Sequence, residues 1–280
     1  MRKGLLDRTD FILREAKSKF GKKVGVLWST GKDSTCMLHL IKANFGEIPW
    51  PVIHLDTSYK FKEMYDFREK LAKEWGFKLV VAKNEEALKK GIGPKTHSKM
   101  ECCTQLKTET LKQVLKDLKL KAVIVSIRQD EHGIRALERY FSPRDKEFKW
   151  NIAREKKGGD SGLEALQDTE LSGWNLFATD FGSGCSNVRV HPILHWTELD
   201  VWEYTKEFNL PVNPMYFAKD GYRYRSLGCE PCTAPVKSNA STIDEVIEEL
   251  KKTKVKERSG RAQDKESEYV MQKLRALGYP

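Results

Sequence analysis

An apolar run that leads through a turn of small polar residues into a helical pattern is the feature that most constrains the fold of this chain. The run covers 24–28 and predicts a buried β-strand. The turn is Ser-Thr-Gly-Lys-Asp-Ser at 29–34. Apolar residues then recur at helical spacing, which predicts a helix over 34–44. The chain therefore contains a strand, a tight turn and a helix in direct succession.

The turn at 29–34 predicts an anion site. Free backbone N–H groups at a helix N-terminus and the helix dipole both favour bound phosphate. Gly31 lets a ligand approach the backbone closely, while Lys32 and the hydroxyls of Ser29 and Ser34 add donors. The pattern differs from the Walker A loop, in which Lys directly precedes Ser or Thr. An ordinary turn that caps a helix is the simpler alternative.

Strands and helices alternate along the first 210 residues. Short apolar runs predict further strands over 51–55, 77–82, 121–126 and 188–190. Helices are predicted over 62–75, 104–118 and 197–208. An earlier helix begins at Asp7 or Thr9 and ends near Phe20. The last one begins at Ser241 or Thr242 and ends near Lys251. This alternation predicts an α/β fold, with a doubly wound, mostly parallel sheet covered on both faces.

Polar side chains follow the predicted second and fourth strands. Asp56 and Thr57 follow the second strand. Arg128, Asp130 and Glu131 follow the fourth. Ligands bind at the carboxyl ends of the strands in such sheets, so we expect these residues to join the turn in one site. An acidic residue there suits a ribose hydroxyl or the adenine amino group, and an arginine suits phosphate or a small oxyanion. Each could equally be a helix cap or a loop residue.

Composition limits the class of protein. No apolar run approaches the ~20 residues that a membrane span requires, and the first residues lack the apolar core of a signal peptide. We therefore expect a cytoplasmic protein with no membrane partner. The net charge of +10 is concentrated at the two ends. Basic ends suit nucleic acid, an acidic partner or a nucleotide, but solvent-exposed helix faces explain them equally well.

Two regions are expected along the chain. The alternating pattern ends near residue 210, so we predict a nucleotide-binding domain over 1–210 and a C-terminal extension over 211–280. Within the first, residues 154–187 are rich in Gly, Asp, Ser and Glu and have little periodicity. A segment this long without regular structure is usually functional or disordered, so we predict a surface loop or lid.

Several motifs, in order along the chain, resemble those of one superfamily. The turn at 29–34 is similar to the SGGxDS pyrophosphate loop of ATP pyrophosphatases, with Thr30 where that family usually has Gly. Three further motifs follow it, namely His-Leu-Asp-Thr at 54–57, Arg-Gln-Asp-Glu at 128–131 and Glu-Arg-Ser-Gly-Arg at 257–261. Together the four motifs resemble those of the phosphoadenosine-phosphosulfate reductase superfamily. Its fold is adenine nucleotide α-hydrolase-like. Within it, the small subunits of bacterial sulfate adenylyltransferases are the most similar family.

The resemblance implies an ATP-cleaving nucleotidyltransferase in sulfur metabolism. ATP with Mg²⁺ is attacked at the α-phosphorus by sulfate, and pyrophosphate leaves. The implied catalytic residues are Lys32, Asp33, Ser34 and Arg128. The implied ATP-binding residues are Ser29, Thr30, Gly31, Asp56, Thr57, Asp130, Arg258 and Arg261. A flexible basic tail is the alternative for the last two. The resemblance also implies a GTPase large subunit as partner, and it leaves the oligomeric state open.

The cysteines add a second implied cofactor. Cys102-Cys103 and the pair Cys229 and Cys232 look like the cysteines that hold a [4Fe–4S] cluster in iron–sulfur adenylylsulfate reductases. A Cys₄ zinc site and four unrelated thiols are the alternatives. Reductase activity is disfavoured, because the reductases need a C-terminal nucleophilic cysteine and this chain has none after Cys232.

Two further functions remain open from the sequence. An iron–sulfur ATP pyrophosphatase could activate tRNA or DNA for sulfur insertion, which the cysteines and basic ends suit. The chain has no recognisable nucleic-acid-binding module, however. A non-catalytic nucleotide-binding subunit is disfavoured by the intact Lys32, Asp33 and Ser34.

Overall fold

The computed structural model describes residues 3–131, 135, 138–150, 177, 185–254, 257, 273–274 and 276–279. Most of the predicted loop or lid at 154–187 lies outside the described residues, as do Arg258 and Arg261.

The described helices and strands alternate as predicted through the first half of the chain. The helices are α1 (Lys3–Phe20), α2 (Lys32–Phe45), α3 (Lys62–Trp75), α4 (Glu85–Lys89), α5 (Lys99–Cys103), α6 (Thr110–Asp117), α7 (Glu198–Glu207) and α8 (Ile243–Lys252). The strands are β1 (Val24–Leu27), β2 (Val52–Leu55), β3 (Leu79–Ala82), β4 (Ala122–Ile124), β5 (Phe141–Arg144), β6 (Asn187–Val190), β7 (Tyr222–Arg223) and β8 (Val236–Lys237). A π-helical turn, Thr104–Glu109, joins α5 to α6.

The central sheet confirms the predicted α/β class. Six strands lie in the order β3-β2-β1-β4-β6-β5, and all neighbours are parallel except β5 and β6. Strand order reverses between β1 and β4, which leaves a crevice at their carboxyl ends. The turn at 29–34 follows β1, and the segment that contains Arg128 follows β4. The topology therefore brings these two segments to the ligand-binding edge of the sheet.

Strand β5 was not predicted, and its sequence explains why. It contains Pro143, which cannot donate to a strand ladder. The structure places β5 at the edge of the sheet, where only one side of the strand is paired. Proline is tolerated in an edge strand, so this segment forms the last strand of the sheet although its proline argues against a strand.

The predicted start of the first helix was wrong. We expected Asp7 or Thr9 to cap it, but α1 already includes Lys3. Thr9 is buried, and its hydroxyl donates to the carbonyl oxygen of Pro192 at 3.0 Å and accepts from Trp196 Nε1 at 3.1 Å. Its polar group therefore joins α1 to the segment before α7, which local sequence does not reveal.

Two apolar clusters position the loop at 29–34. The larger one fills the space between the sheet and its helices. The smaller one joins Met64 of α3 to Trp202 of α7, Tyr216 and Val246 of α8. It holds the segment around Tyr216 against the amino end of α2. Within the described residues, no helix has the combined length and hydropathy of a membrane span.

Candidate active site

The loop at 29–34 is an internally bonded turn. The hydroxyl of Ser34 accepts from the backbone N–H of Ser29 at 3.2 Å and lies 3.1 Å from the Ser29 hydroxyl. Thr30 has a φ of +65°, in the left-handed region, and its hydroxyl donates to the carbonyl oxygen of Ser29 at 2.5 Å. A β-branched residue is strained there by roughly 1–2 kcal/mol, which explains why Gly is the usual residue at this position in the resembling loops.

Gly31 is required by a close approach and not by its backbone angles. A Cβ atom at this position would lie 3.1 Å from the Tyr216 hydroxyl and 3.2 Å from Ser29 Oγ. The Tyr216 hydroxyl accepts from the backbone N–H of Lys32 at 3.0 Å, in the first turn of α2. One of the amides expected to bind phosphate is therefore bonded to a side chain of the protein itself.

Lys32 lies among acidic groups and is only 3% exposed. Its Nζ donates to a carboxylate oxygen of Glu257 and to the carbonyl oxygen of Arg225 at 3.2 Å, and it lies 3.8 Å from Glu198. Burial alone would lower the pKa of Lys32, but the charges of Glu257 and Glu198 outweigh it and raise the pKa. The lysine is therefore held in its charged form.

Arg128 is fully buried and contacts three carboxylates. Its guanidinium pairs with Asp33, with Asp130 at 3.0 Å and with Glu257. Asp130 also accepts from the backbone N–H of Glu198 at 2.8 Å, at the start of α7. These bonds tie the segment after β4 to the loop at 29–34 and to α7.

Glu257 is the common partner of the two cations. Burial would raise its pKa, but Arg128 and Lys32 outweigh burial and hold the pKa of Glu257 well below its usual range. Glu198 bonds to Arg225 at 2.6 Å, yet burial and the charge of Glu257 raise the pKa of Glu198. The two carboxylates have Lys32 as a common partner, and their negative charges repel each other.

We call this group the carboxylate-rich cluster. Its described members are Lys32, Arg128, Arg225, Asp33, Asp130, Glu198 and Glu257. Three cations thus face four carboxylates, and every cation already has an acidic partner. Taken together, these described members carry no surplus positive charge for a polyphosphate.

Asp56 and Thr57 lie after β2 as predicted from the order of elements, but they are bonded elsewhere. Asp56 accepts from the Tyr65 hydroxyl at 2.9 Å and from the backbone N–H of Ser58 at 2.8 Å. Thr57 Oγ1 lies 3.2 Å from the Cys229 sulfur. Neither residue lines the cavity described next.

A cavity of about 190 Å³ opens at the crevice between β1 and β4. Ser29, Gly31, Asp33 and Ser34 form one part of its wall, and Glu257 is also exposed to it. Its apolar described wall residues are Leu27, Trp28, Ile53, Leu55, Met64, Val125, Ile127 and Leu227. An apolar surface beside a small-residue turn suits a nucleotide, whose base and phosphates need different environments.

Cationic groups also line this cavity, away from the loop. They are Lys60, Lys107 and Arg135 among the described wall residues, and Arg135 is paired with Glu131. Lys32 and Arg128 do not line the cavity, because both are turned into the carboxylate-rich cluster.

Lys60 bonds to a neutral histidine. Its Nζ lies 2.9 Å from Nε2 of His54, whose Nδ1 lies 3.0 Å from the carbonyl oxygen of Trp28. His54 is fully buried, and burial with the charge of Lys60 holds its pKa well below 6.5. Nδ1 therefore donates to Trp28, and Nε2 accepts from Lys60. Burial, together with the charge of Lys107, lowers the pKa of Lys60 to about 7.

The four cysteines singled out from the sequence are buried and close enough to influence one another. Burial, then the charges of Cys103 and Cys229, raise the pKa of Cys102 to about 12, and Cys232 contributes in the same direction. Among the described residues, no three His, Cys, Asp or Glu side chains converge closely enough to hold a metal ion. Cys36 of α2, outside this set, is buried in the apolar core.

Sequence reasoning did not assign site roles to Glu198, Arg225, Glu257, Tyr216 or Lys60. Glu198 lies in the first turn of the helix predicted over 197–208, where an acidic residue is favourable whatever its role. Glu257 did carry a signal, because it begins the stretch 257–261 that matches the resembling family. The contacts of Arg225 and Glu257 depend on the fold, since each meets Lys32 from a segment distant in sequence, whereas Lys60 bonds to His54 only six residues away.

Comparison with known proteins identifies the family of this chain. Residues 23–235 match the phosphoadenosine phosphosulfate reductase domain. Sulfate adenylyltransferase subunit 2 of Sulfurimonas denitrificans is 39% identical, over 96% of this chain and 93% of its own length. The same subunit of Colwellia psychrerythraea is 36% identical, over 96% and 95% of the two chains.

Solved structures agree with the fold. Phosphoadenylyl-sulfate reductase from Candida auris has a TM-score of 0.54 at 18% identity, over 84% of this chain and 98% of its own. FMN adenylyltransferase from Candida glabrata has a TM-score of 0.52 at 17% identity, over 85% and 67% of the two chains. The chain therefore has the phosphoadenosine phosphosulfate reductase domain and belongs to the sulfate adenylyltransferase subunit 2 family.

Proposed function

We propose that this protein transfers the adenylyl group of ATP to sulfate, which forms adenylylsulfate and releases pyrophosphate. The observation that carries the proposal is the loop at 29–34. It lines the cavity at the sheet's switch point, in a chain that is 39% identical to a sulfate adenylyltransferase subunit 2 along nearly all of its length.

The reaction needs positioning and charge stabilisation more than proton transfer. A sulfate oxygen attacks the α-phosphorus, and the bond from that phosphorus to the oxygen bridging to the β-phosphorus breaks. Sulfate is already ionised, so no base has to remove a proton. The loop amides and the hydroxyls of Ser29 and Ser34 would hold the departing pyrophosphate, as donors preorganised for the charge that develops there.

Mg²⁺ fits the acidic part of this site. Asp33 and Glu257 both line the cavity, and Mg²⁺ is usually held by one or two carboxylates together with substrate phosphates. When bound, the ion supplies charge neutralisation along the phosphates. It would also offset the excess of carboxylates over cations in the carboxylate-rich cluster.

The proposed partner is a GTPase large subunit. Forming a phosphate–sulfate anhydride is strongly uphill, so a separate source of free energy has to drive net synthesis. The relatives are named as subunit 2, which implies at least one further subunit in those enzymes. Sulfate-dependent exchange of pyrophosphate into ATP does not require net synthesis and so tests the adenylyl-transfer step itself.

The test is exchange of labelled pyrophosphate into ATP by the full chain. We expect exchange that depends on sulfate and falls at least about hundredfold in Ser34→Ala, because one oxyanion donor is lost. Ser18→Ala, at an exposed position on α1, is the control and should behave as wild type. ATP turnover that responds to tRNA or DNA but not to sulfate would overturn the proposal.

We further propose that Cys102, Cys103, Cys229 and Cys232 hold a [4Fe–4S] cluster. Four thiolates are the ligands that such a cluster requires. Here the two cysteine pairs are more than 100 residues apart in sequence, all four cysteines are buried, and the other three influence the pKa of Cys102. Burial keeps Cys102 protonated as a free thiol, and bound iron would compensate the thiolate charges.

Iron and sulfide analysis with a visible spectrum of anaerobically purified protein tests the cluster. We expect a coloured protein, and we expect Cys232→Ser to lose the absorbance and the iron. Cys185→Ser is the matched control, because Cys185 lies outside the set and its Sγ donates to the Asn187 carbonyl oxygen. A colourless protein with one bound zinc would contradict the cluster.

A further inference from the structure

The hydroxyl of Tyr216 lies against the loop that follows β1. Tyr216 is 1% exposed and lines the cavity. Its oxygen accepts from the backbone N–H of Lys32 at 3.0 Å, in the first turn of α2. A Cβ atom on Gly31 would lie 3.1 Å from the same oxygen. The phenol therefore reaches the place where the loop at 29–34 is proposed to hold pyrophosphate.

This hydroxyl still has a proton to donate. Burial is the main influence on the pKa of Tyr216 and raises it, against the opposing charge of Lys32, so the phenol stays neutral. Its oxygen accepts from Lys32, but among the described residues the O–H has no acceptor of its own. A buried donor without an acceptor is destabilising, and an oxygen atom of a ligand would remove that penalty.

The fold holds the hydroxyl in this place. Tyr216 ends a short 3-10 turn, and Asn213 at the start of that turn donates to the carbonyl oxygen of Glu63 in α3 at 3.3 Å. The ring of Tyr216 packs edge-on against Trp202 of α7, with 5.7 Å between the ring centroids. Contacts with two helices thus fix the ring, and a donor fixed in advance needs no rearrangement when a ligand binds.

We propose that the Tyr216 hydroxyl is a further donor of the pyrophosphate site. This inference rests on the proposed function and adds a side chain that lies 184 residues from Lys32 in sequence. The phenol donates to an oxygen of the β- or γ-phosphate, and its own oxygen keeps the Lys32 amide in place. The proton stays on the phenol. As the bond to the α-phosphorus breaks, pyrophosphate gains negative charge, so this hydrogen bond strengthens in the transition state.

A phenol that only covers the amide would have the opposite effect on binding. If Tyr216 merely occupies the N–H of Lys32, removing the hydroxyl frees that amide for phosphate, and pyrophosphate binds more tightly. If the hydroxyl donates to phosphate, its removal weakens binding. The direction of the change in affinity therefore separates the two roles.

Titration calorimetry of Tyr216→Phe measures that direction. Phenylalanine keeps the ring against Trp202 and removes only the hydroxyl. We expect inorganic pyrophosphate, with Mg²⁺ present, to bind at least about tenfold more weakly than to wild type, as for a lost hydrogen bond to a charged group. The affinity for AMP, which has no β- or γ-phosphate, should change less than about twofold. Tyr204→Phe is the matched control, because its hydroxyl bonds to His39 at 2.8 Å and does not line the cavity.

Fluorine NMR provides a readout that keeps the hydroxyl and does not depend on how the variant folds. With fluorotyrosine incorporated only at position 216 of the full chain, the fluorine resonance should shift when pyrophosphate is added, and less when AMP is added. A resonance that does not respond to pyrophosphate would overturn the inference.

Two calorimetric results would also overturn it. One is a folded Tyr216→Phe protein that binds pyrophosphate as wild type does, or more tightly. The other is an equal loss of affinity for pyrophosphate and AMP, which a purely structural role of Tyr216 would produce. Wild-type protein that binds pyrophosphate but shows no sulfate-dependent exchange would instead contradict the proposed function.

Discussion

The two charged parts of the cavity differ in how their cations are compensated. In the carboxylate-rich cluster, Lys32 and Arg128 are buried and bonded to acidic side chains. Away from the loop, Lys60 and Lys107 line the cavity, and Lys60 bonds to a neutral imidazole. The first arrangement suits a ligand that arrives with its own cation, such as Mg²⁺-bound ATP.

The difference also shows that the partners of a lysine in a phosphate-type turn do not follow from the motif alone. A lysine in a phosphate-binding turn was expected to contact phosphate directly. The fold instead buries Lys32 against Glu257 and Glu198, where it organises acidic groups that come from distant segments. Lys60, a lysine that had no assigned role, does line the cavity.

The largest expected effect comes from removing the buried cation of the cluster. Lys32→Ala leaves Glu257 and Glu198 without their shared partner in a buried position. We expect the free energy of unfolding to fall by about 3–5 kcal/mol, as for other broken buried ion pairs. Urea denaturation measures it. Lys62→Ala, whose ion pair with Asp66 is exposed, should change it by less than about 0.5 kcal/mol. Equal losses in the two variants would contradict the cluster as a structural unit.

A smaller effect is expected when one carboxylate of the cluster is neutralised. Glu257→Gln makes the number of carboxylates equal to the number of cations among the described members of the carboxylate-rich cluster. We expect ATP without Mg²⁺ to bind about tenfold more tightly than to wild type, which corresponds to about 1.4 kcal/mol. Titration calorimetry in the presence of a chelator measures this. Glu248→Gln, at an exposed position on α8, is the control. Unchanged affinity in Glu257→Gln would show that the excess of carboxylates does not limit binding.

The smallest expected effect concerns the backbone of the loop. Thr30→Gly removes the strain of a β-branched residue at a φ of +65°. We expect a gain of about 1 kcal/mol in the free energy of unfolding, reduced by the lost hydrogen bond to Ser29 and by the added freedom of the unfolded chain. Denaturant titration measures it. A variant that is markedly less stable would mean that the buried threonine side chain outweighs its strain.

Much of the fold could be predicted because its signals are local. Helix α3 lies at the predicted residues, and Thr197 and Thr242 begin their helices with capping boxes. The edge strand β5 could not be predicted, because Pro143 is unfavourable locally and acceptable only at the border of a sheet. The start of α1 was missed because Thr9 is used for a contact 183 residues away.

The candidate site was predictable in its outline but not in its bonding. Parallel-sheet topology brings the loop and Arg128 together, as the sequence predicted. The roles of Glu198 and Arg225 were not predictable, because each carboxylate or guanidinium selects its partner among segments that are far apart along the chain. The assignments of Asp56 and Thr57 to ATP, and of Arg258 and Arg261, stay predictions.

The sequence by itself determined the alternation of strands and helices, the phosphate-type turn after β1 and the two cysteine pairs, because periodicity and turn chemistry act between near neighbours. Only the tertiary structure decided which charges are neutralised and which face the cavity. The electrostatic field at a given point depends on side chains that the fold brings together. The sequence alone does not show that Lys32 bonds to Glu257 or that Lys60 bonds to His54.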